Sequence, residues 1–486
     1  VVTNVNTGVT RETTTTSDGT YQVLLLPVGT YNVTAEKAGF RKVVTEPQPL
    51  SINQSLRFDI RLEVGATTET IQVEAIAVGV ETVNATLSQT VTGGQIQSMP
   101  LNGRNVLDLA LLQPGVTPSS LGSTGQLGFS ISGGRRDSVT YILDGGMNNN
   151  LLNNSVVLNP NPDAIAEFRI LTSNYNAEYG RNAGGIISVV SKSGGNEIHG
   201  SLYDFIRNDA FNANQYFNNK NKLPRSILKR HQFGATVGGP VIKDKLFYFF
   251  AYQGQRQTST ASRSAVQVFT PAELNGDFSL SNSARNGPDE RVVKFLNTFP
   301  YFQPSQALRS QGIIDPNRID PVAKNYIKAG LLPTSPTGQL LPRAGASADV
   351  DEYTPKVDYV RSVKDRFGVT LGYSKVPSLA PFHDEANVPG WAITNEVRRK
   401  FAGVNWVRTQ SASFINDLRL TVQRNDGTQA TPARQLPKPN ELGIGMISDD
   451  PTGPTNLWFQ SGMRIGFSRN GPTRLVDNTY IGLAAE

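Results

Sequence analysis

Cysteine is absent from the 486 residues. That excludes disulfides, thiolate metal sites and a cysteine nucleophile, and leaves the compartment open. Histidine is nearly as scarce: His199, His231 and His383 are the only ones, far apart along the chain. Pairing of the first two barrel-like strands would bring His199 near His231. Two histidines with no carboxylate between them are a weak metal signal, so no metal is expected. No run of eighteen apolar residues exists, which rules out a transmembrane helix but not a transmembrane barrel. Charged residues make up only 18%. The net charge of +6 is scattered and forms no stripe, so no nucleic-acid partner is expected. Catalytic constellations are also missing. Asp144 beside Gly145 has no acid or base at a recognisable spacing and reads as a turn. Gly133-Gly134 and Gly184-Gly185 lack the strand–loop–helix order of a phosphate cradle. Neither an enzyme nor a cofactor is expected.

What is present points to β structure. There are 45 Gly and 29 Pro, with many Asn, Thr and Ser, a turn-rich composition. In Arg366 to Ser374, Phe367, Val369, Leu371 and Tyr373 alternate with Arg366, Gly368, Thr370, Gly372 and Ser374. In Leu418 to Gln423, Leu418, Leu420 and Val422 alternate with Arg419, Thr421 and Gln423. Period two means an extended strand with one apolar face. Tight turns precede such strands at Lys243-Asp244-Lys245, at Ser362-Val363-Lys364-Asp365 and, more loosely, at Gln410-Ser411-Ala412-Ser413. Long polar stretches join the other ends. This is the habit of a wall between lipid and water. Tyr203, Phe205, Phe367, Val369, Leu371, Tyr373, Leu418, Leu420 and Val422 are expected to face lipid. The aromatic run Leu246 to Tyr252 is expected to form a lipid-facing girdle.

Residues 1–64 form a small all-β unit. Ser17-Asp18-Gly19 and Pro27-Val28-Gly29 are turns, followed by the alternating sets Tyr21, Val23, Leu25 and Tyr31, Val33, Ala35. Leu56, Phe58, Ile60 and Leu62 make a last strand. The series from Asp18-Gly19-Thr20-Tyr21 to Gly39-Phe40 resembles the carboxypeptidase regulatory-like domain, a transthyretin-like sandwich, here lacking its usual first strand. The resemblance implies no peptidase. Residues 65–98 read as a linker. Within it Glu69, Thr70, Ile71, Gln72, Val73, Glu74 and Ala75 alternate polar with apolar, a segment suited to strand addition on a partner's sheet.

Residues 99–195 change character. Pro100-Leu101-Asn102-Gly103-Arg104-Asn105 leads to a short helix over Val106 to Leu112. Then come Gly134 and Arg135, Asp144 and Gly145 closing a strand, Asn161-Pro162-Asp163 opening a helical turn, and Tyr179-Gly180 with Gly184-Gly185 before an apolar strand. This ordered set resembles the plug domain of TonB-dependent outer-membrane receptors. Residues 196–486 then look like the first part of that family's barrel. About seven strands are legible, whereas such receptors have 22-stranded plugged barrels. The chain is therefore expected to be a piece cut at both ends.

The resemblance implies a mainly β chain: sandwich, α/β plug, then antiparallel transmembrane barrel. It implies that Glu69 to Ala75 is a TonB box, and that sandwich and plug face the periplasm of a diderm bacterium. The implied partners are outer-membrane lipid, a TonB-type energy-coupling protein and a small ligand. Siderophore, cobalamin, oligosaccharide and peptide all stay open. The alternative is a surface binding or adhesion protein that does not transport; a plug argues against it. Residues 256 to about 350, polar and Pro-rich, are expected to be a long external loop without structure of its own.

Overall fold

The computed structural model describes all residues except 53, 66–69, 74–85, 121–126, 136, 152, 176–178, 181, 383–385, 412–413, 431–435, 446–455, 467–472 and 486. The N-terminal unit contains β1 (Val2–Asn4), β2 (Thr10–Arg11), β3 (Gly29–Ala35), β4 (Lys42–Thr45) and β5 (Gln48–Leu50). Its core is Val2, Tyr31 and Val33, with Val23, Phe58 and Ile60 packed against them. The strands expected over Tyr21–Leu25 and Leu56–Leu62 do not form ladders, although their apolar residues still reach the core. Leu25 has φ of 54°, a left-handed backbone that ends an extended run there. The next strand, β6 (Thr70–Val73), lies parallel to β4 and completes the order β2-β1-β3-β4-β6, with β5 on β3.

The second unit begins inside the stretch read as a linker. β7 (Leu87–Thr92) and α1 (Gly93–Ser98) belong to its sheet and its packing. β7 was illegible because its sequence, Leu-Ser-Gln-Thr-Val-Thr, has no clean period, and its pairing with a distant strand makes it a strand. A 3-10 turn over Val106–Leu112 follows, then the hairpin β8 (Val116–Ser120) and β9 (Leu127–Ile131). The central sheet runs β11 (Gly146–Met147), β10 (Thr140–Leu143), β13 (Ile186–Ser191), β12 (Ile165–Ser173), β7. Its core includes Leu109, Phe129, Leu143, Ile165, Phe168 and Ile187. This is an α/β plug with an apolar inside.

The wall follows: β14 (His199–Asn208), then a connection carrying α2 (Tyr216–Lys220), then β15 (Leu228–Ile242) and β16 (Leu246–Ser262). The long external stretch holds β17 (Val266–Gln267), α3 (Pro271–Leu274), α4 (Glu290–Thr298), α5 (Gln306–Ser310), α6 (Pro321–Lys328) and β18 (Gln339–Leu340). β19 (Arg343–Ala348) and β20 (Val350–Val360) are halves of one strand, since both pair with β16 and with β21 (Asp365–Ala380). β22 (Ile393–Ser411), β23 (Phe414–Ala430), a loop hairpin of β24 (Leu457–Trp458) and β25 (Arg464–Ile465), and β26 (Thr473–Ala485) complete the order. All wall pairings are antiparallel, and β26 adds a strand to those read from the sequence.

Alternation sets the two faces of this wall. Thr370 is 4% exposed and Leu371 44%. Glu352, Thr354, Lys356, Thr421 and Gln423 are buried inward, while Tyr353, Val357, Tyr359, Leu418 and Leu420 are exposed on the outside. Polar residues in and apolar residues out is the inverse of a soluble protein. Two expectations fail in phase. Tyr203 and Phe205 share the face on which an arginine of the plug lies over both rings, although Phe205 is still 51% exposed; Leu202 and Ile206 take the opposite, exposed face. The run at 246–252 is also split: Phe247 and Phe249 are buried inward at 2%, while Phe250 is 38% exposed on the other face. Phe249 packs on Ala164 of the plug.

The external stretch is not structureless. Val266, Val268, Tyr326 and Leu331 share a core with Val388, Trp391 and Ile393 and with Leu442, Met463 and Ile465. Three loops far apart in sequence thus build one cap. No helix among the described residues is long and apolar enough to cross a membrane.

Candidate functional site: where the plug meets the wall

Asp144 and Gly145 connect β10 to β11 with φ of 49° and 80°. Both central residues left-handed is the type I′ hairpin turn that Asp-Gly favours. The turn aims the Asp144 carboxylate at the wall. Oδ1 accepts from the Ser191 amide at 2.8 Å. Oδ2 accepts from Ser191 Oγ at 2.6 Å and from Thr370 Oγ1 of β21 at 2.7 Å. Lys356 Nζ of β20 lies 3.5 Å from Oδ1 and donates to the Ser191 carbonyl and hydroxyl at 3.2 and 3.1 Å. Burial alone pushes the Asp144 carboxyl up, but Lys356 and the hydrogen bonds from Ser191 and Thr370 outweigh it and hold it below its ordinary value. A buried carboxylate and a buried ammonium are therefore paired across two separate units. The fit is close: a Cβ on Gly146 would lie 2.5 Å from Thr421 Oγ1 of β23.

A second set of contacts surrounds Asn161. Its amide donates to Glu352 Oε1 of β20 at 2.8 Å, and its Nδ2 donates to the Tyr203 hydroxyl at 2.7 Å. Its own Oδ1 caps the turn at 162–164 by accepting from the Asp163 amide. Arg104 is ion-paired with Asp163. Its guanidinium sits 4.3 Å from the Tyr203 ring centre and 4.6 Å from that of Phe205. Gln232 donates to the Gly103 carbonyl and Gln423 to the Asn149 carbonyl. Phe401 of β22 enters the plug core itself.

The residues singled out from sequence divide accordingly. Asp144 and Gly145 stand at the wall. Gly134, Gly184 and Gly185 lie within the plug, where a Cβ on Gly184 would come within 2.4 Å of the Ser138 carbonyl. Arg135 is exposed and pairs with Asp137. Tyr179 stacks edge-on against Tyr175 at 6.4 Å, and the space around Gly180 is open. Thr70, Ile71, Gln72 and Val73 form β6; Glu69, Glu74 and Ala75 lie outside the described residues. Arg104, Asn161 and Thr370 stood in the sequence only as parts of a plug segment, a helical turn and a strand face, and Glu352 and Lys356 carried no mark of their own; none was expected at this contact. One signal existed for the wall residues: Glu352, Lys356 and Thr370 occupy the polar phase of their strands, which a barrel turns inward.

His199 pairs with Gly238 and His231 with Ile206, seven positions along the same ladder, or about 23 Å at roughly 3.3 Å per residue. The expected approach of the two histidines does not occur, and His383 lies outside the described residues. Among the described residues no group of three potential ligands gathers.

Below the plug lies a cavity of about 2890 Å³ bounded by the N-terminal unit, the plug and the wall. Several contacts hold the N-terminal unit there. The Ile52 amide donates to Glu167 Oε2 at 2.6 Å, Arg169 donates to the Ile52 carbonyl, the Asn196 amide donates to the Asn6 carbonyl at 3.0 Å, and Arg366 of β21 donates to the Leu25 carbonyl at 2.8 Å. Burial raises the Glu167 carboxyl above its ordinary value, against the opposing pull of that amide, Ser51 and Arg169.

Comparison with known proteins agrees with this geometry. The outer membrane beta barrel domain family matches residues 190–483, the TonB-dependent receptor plug domain 81–186, and the carboxypeptidase regulatory-like domain 1–63. The chain belongs to the TonB-dependent receptors of the outer membrane. A TonB-dependent transporter, Oar of Myxococcus xanthus, is 27% identical over 332 residues, covering 62% of this chain and 30% of its own. Among solved structures, the outer membrane transporter YddB from Escherichia coli is 14% identical, with a TM-score of 0.47, over 79% of this chain and 43% of that one. The ferric enterobactin receptor of Pseudomonas aeruginosa is 13% identical, with a TM-score of 0.38, over 82% and 55%. The chain thus spans less than two thirds of the length of these relatives. They are receptors and transporters, not enzymes.

Proposed function

We propose that the protein takes up a scarce ligand across the outer membrane, its plug being moved when a TonB-type partner in the periplasm engages Glu69 to Ala75. The ligand is a siderophore, cobalamin, an oligosaccharide or a peptide. The observation that carries this reading is the Asp144–Lys356 contact. A domain held in a pore by a few buried polar contacts is seated firmly and released as a unit. Leaving one charge of such a pair buried alone costs on the order of 3–5 kcal/mol, so a plug shifted only part of the way is disfavoured and an external pull favours complete release.

The test uses the full-length protein in cells that contain the energy-coupling partner. Labelled ferric siderophore, cobalamin, oligosaccharide and peptide are offered in turn. One class is expected to accumulate, and Ile71→Pro or Val73→Pro is expected to abolish accumulation while surface binding persists, because proline cannot join a strand ladder. Uptake of the accumulating class at the parental rate in both proline variants would refute the TonB-box assignment. Binding without uptake of any class would favour the adhesion reading.

A further inference from the structure

We propose that the N-terminal sandwich is part of the coupling interface: it displays the TonB-box strand as the last strand of its own sheet, and the partner adds to the far edge of that strand. This rests on the assignment of the box made above. β6 pairs in parallel with β4, Lys42 opposite Thr70, Val43 opposite Ile71, Val44 opposite Gln72 and Thr45 opposite Val73. It ends the sheet order, so among the described residues no strand covers its other edge. An uncovered edge is a row of unpaired backbone donors and acceptors, a ready template for another strand. The occupant follows from position. β6 lies between the sandwich and the plug in sequence, and the sandwich is itself held against both plug and wall, through Ile52 on Glu167 and Leu25 on Arg366. A periplasmic protein that adds a strand there extends one sheet from β2 through β6 into itself. Because β4 already holds β6 extended, the ordering cost is met before the partner arrives, and binding is the stronger for it. A pull on the partner then loads the sandwich and the box together.

The alternative is that β4 hides the box and must release it. A disulfide separates the two cases: these 486 residues hold no cysteine, and any cysteine elsewhere in the full-length receptor is replaced by serine first. Val44→Cys with Gln72→Cys places two thiols on paired positions of adjacent strands, a spacing a disulfide bridges. In the full-length receptor, purified in detergent, binding of the periplasmic domain of the TonB-type protein is measured with the pair oxidised and reduced. Affinity is expected to be kept or raised up to about tenfold on oxidation, since order is locked in. Loss of binding on oxidation with recovery on reduction would overturn the proposal in favour of a hidden box. Failure of the disulfide to form would overturn it by denying the β4–β6 pairing. Ile71→Pro in the same assay isolates the underlying assignment: if that variant binds like the parent, the segment is not the box, whatever the disulfide does.

Discussion

Plug and wall bury their side chains in opposite senses. The plug hides Leu109, Phe129, Phe168 and Ile187 inside and is an ordinary globule. The wall hides Glu352, Lys356, Thr370 and Gln423 inside and shows Leu371, Leu418 and Leu420 outside. One alternating pattern therefore has two readings, and the solvent on each side decides between them. Where the two units touch, polar surface meets polar surface over most of the contact, and Phe249 and Phe401 of the wall add apolar points against the plug. The polar part is made of hydrogen bonds and an ion pair, and such contacts have direction.

The largest expected effect comes from leaving one charge of that contact alone. Lys356→Ala strands the Asp144 carboxylate in a buried site and should destabilise the seated plug by about 3–5 kcal/mol. Thermal unfolding of the full-length receptor measures it, and adding Asp144→Asn should restore a large part; no recovery would mean that the pair is not the source. Next is the lipid face. Leu371→Arg should cost about 2–4 kcal/mol in vesicle folding titrations. Asn405→Arg, on the inner face beside the cavity, should cost much less; equal costs would break the assignment of faces. Thr370 is unsuitable as that control, because it donates to Asp144.

A pH effect should be smaller. The Asp144 carboxyl is held below its ordinary value, so its charged form favours the seated plug. That contribution is fully present above the unfolded value of about 3.9 and is lost as pH falls through the lowered folded value. Urea should release the plug more readily below about pH 4, and Asp144→Asn should flatten that dependence. The smallest effect belongs to the half-exposed pair Lys375–Glu396. Lys375→Ala should change stability by less than about 1 kcal/mol, within the range of surface pairs.

Much of the wall was legible because its two constraints are local: period two and tight turns at Lys243-Asp244 and Val363-Lys364. The plug strands Thr140–Leu143 and Ile186–Ser191 were legible for a similar reason, as apolar runs bounded by glycine. What stayed hidden depends on remote partners. Tyr203 and Phe205 have the composition of lipid-facing residues, yet Arg104, about a hundred positions away, lies over both rings. β7 has a weak pattern of its own and is a strand because β12 lies beside it, whereas β6 falls within the alternating segment and only its pairing with β4 was hidden. Asp144 was visible as a turn residue, but its counter-ion sits 212 positions downstream. Local chemistry announces the turn and is silent about what the turn points at.

The external cap carries a consequence for assembly order. Its core joins Val266 to Ile465, with β19 to β23 lying between them in sequence. The cap cannot close until those wall strands have found their neighbours and brought the three loops to one rim. Contacts of such sequence separation form late and slowly. Burial of Trp391, 2% exposed within that core, is therefore a clock for the wall: with Trp406 and Trp458 replaced by phenylalanine, its fluorescence should change last, after the strands beneath it have zipped.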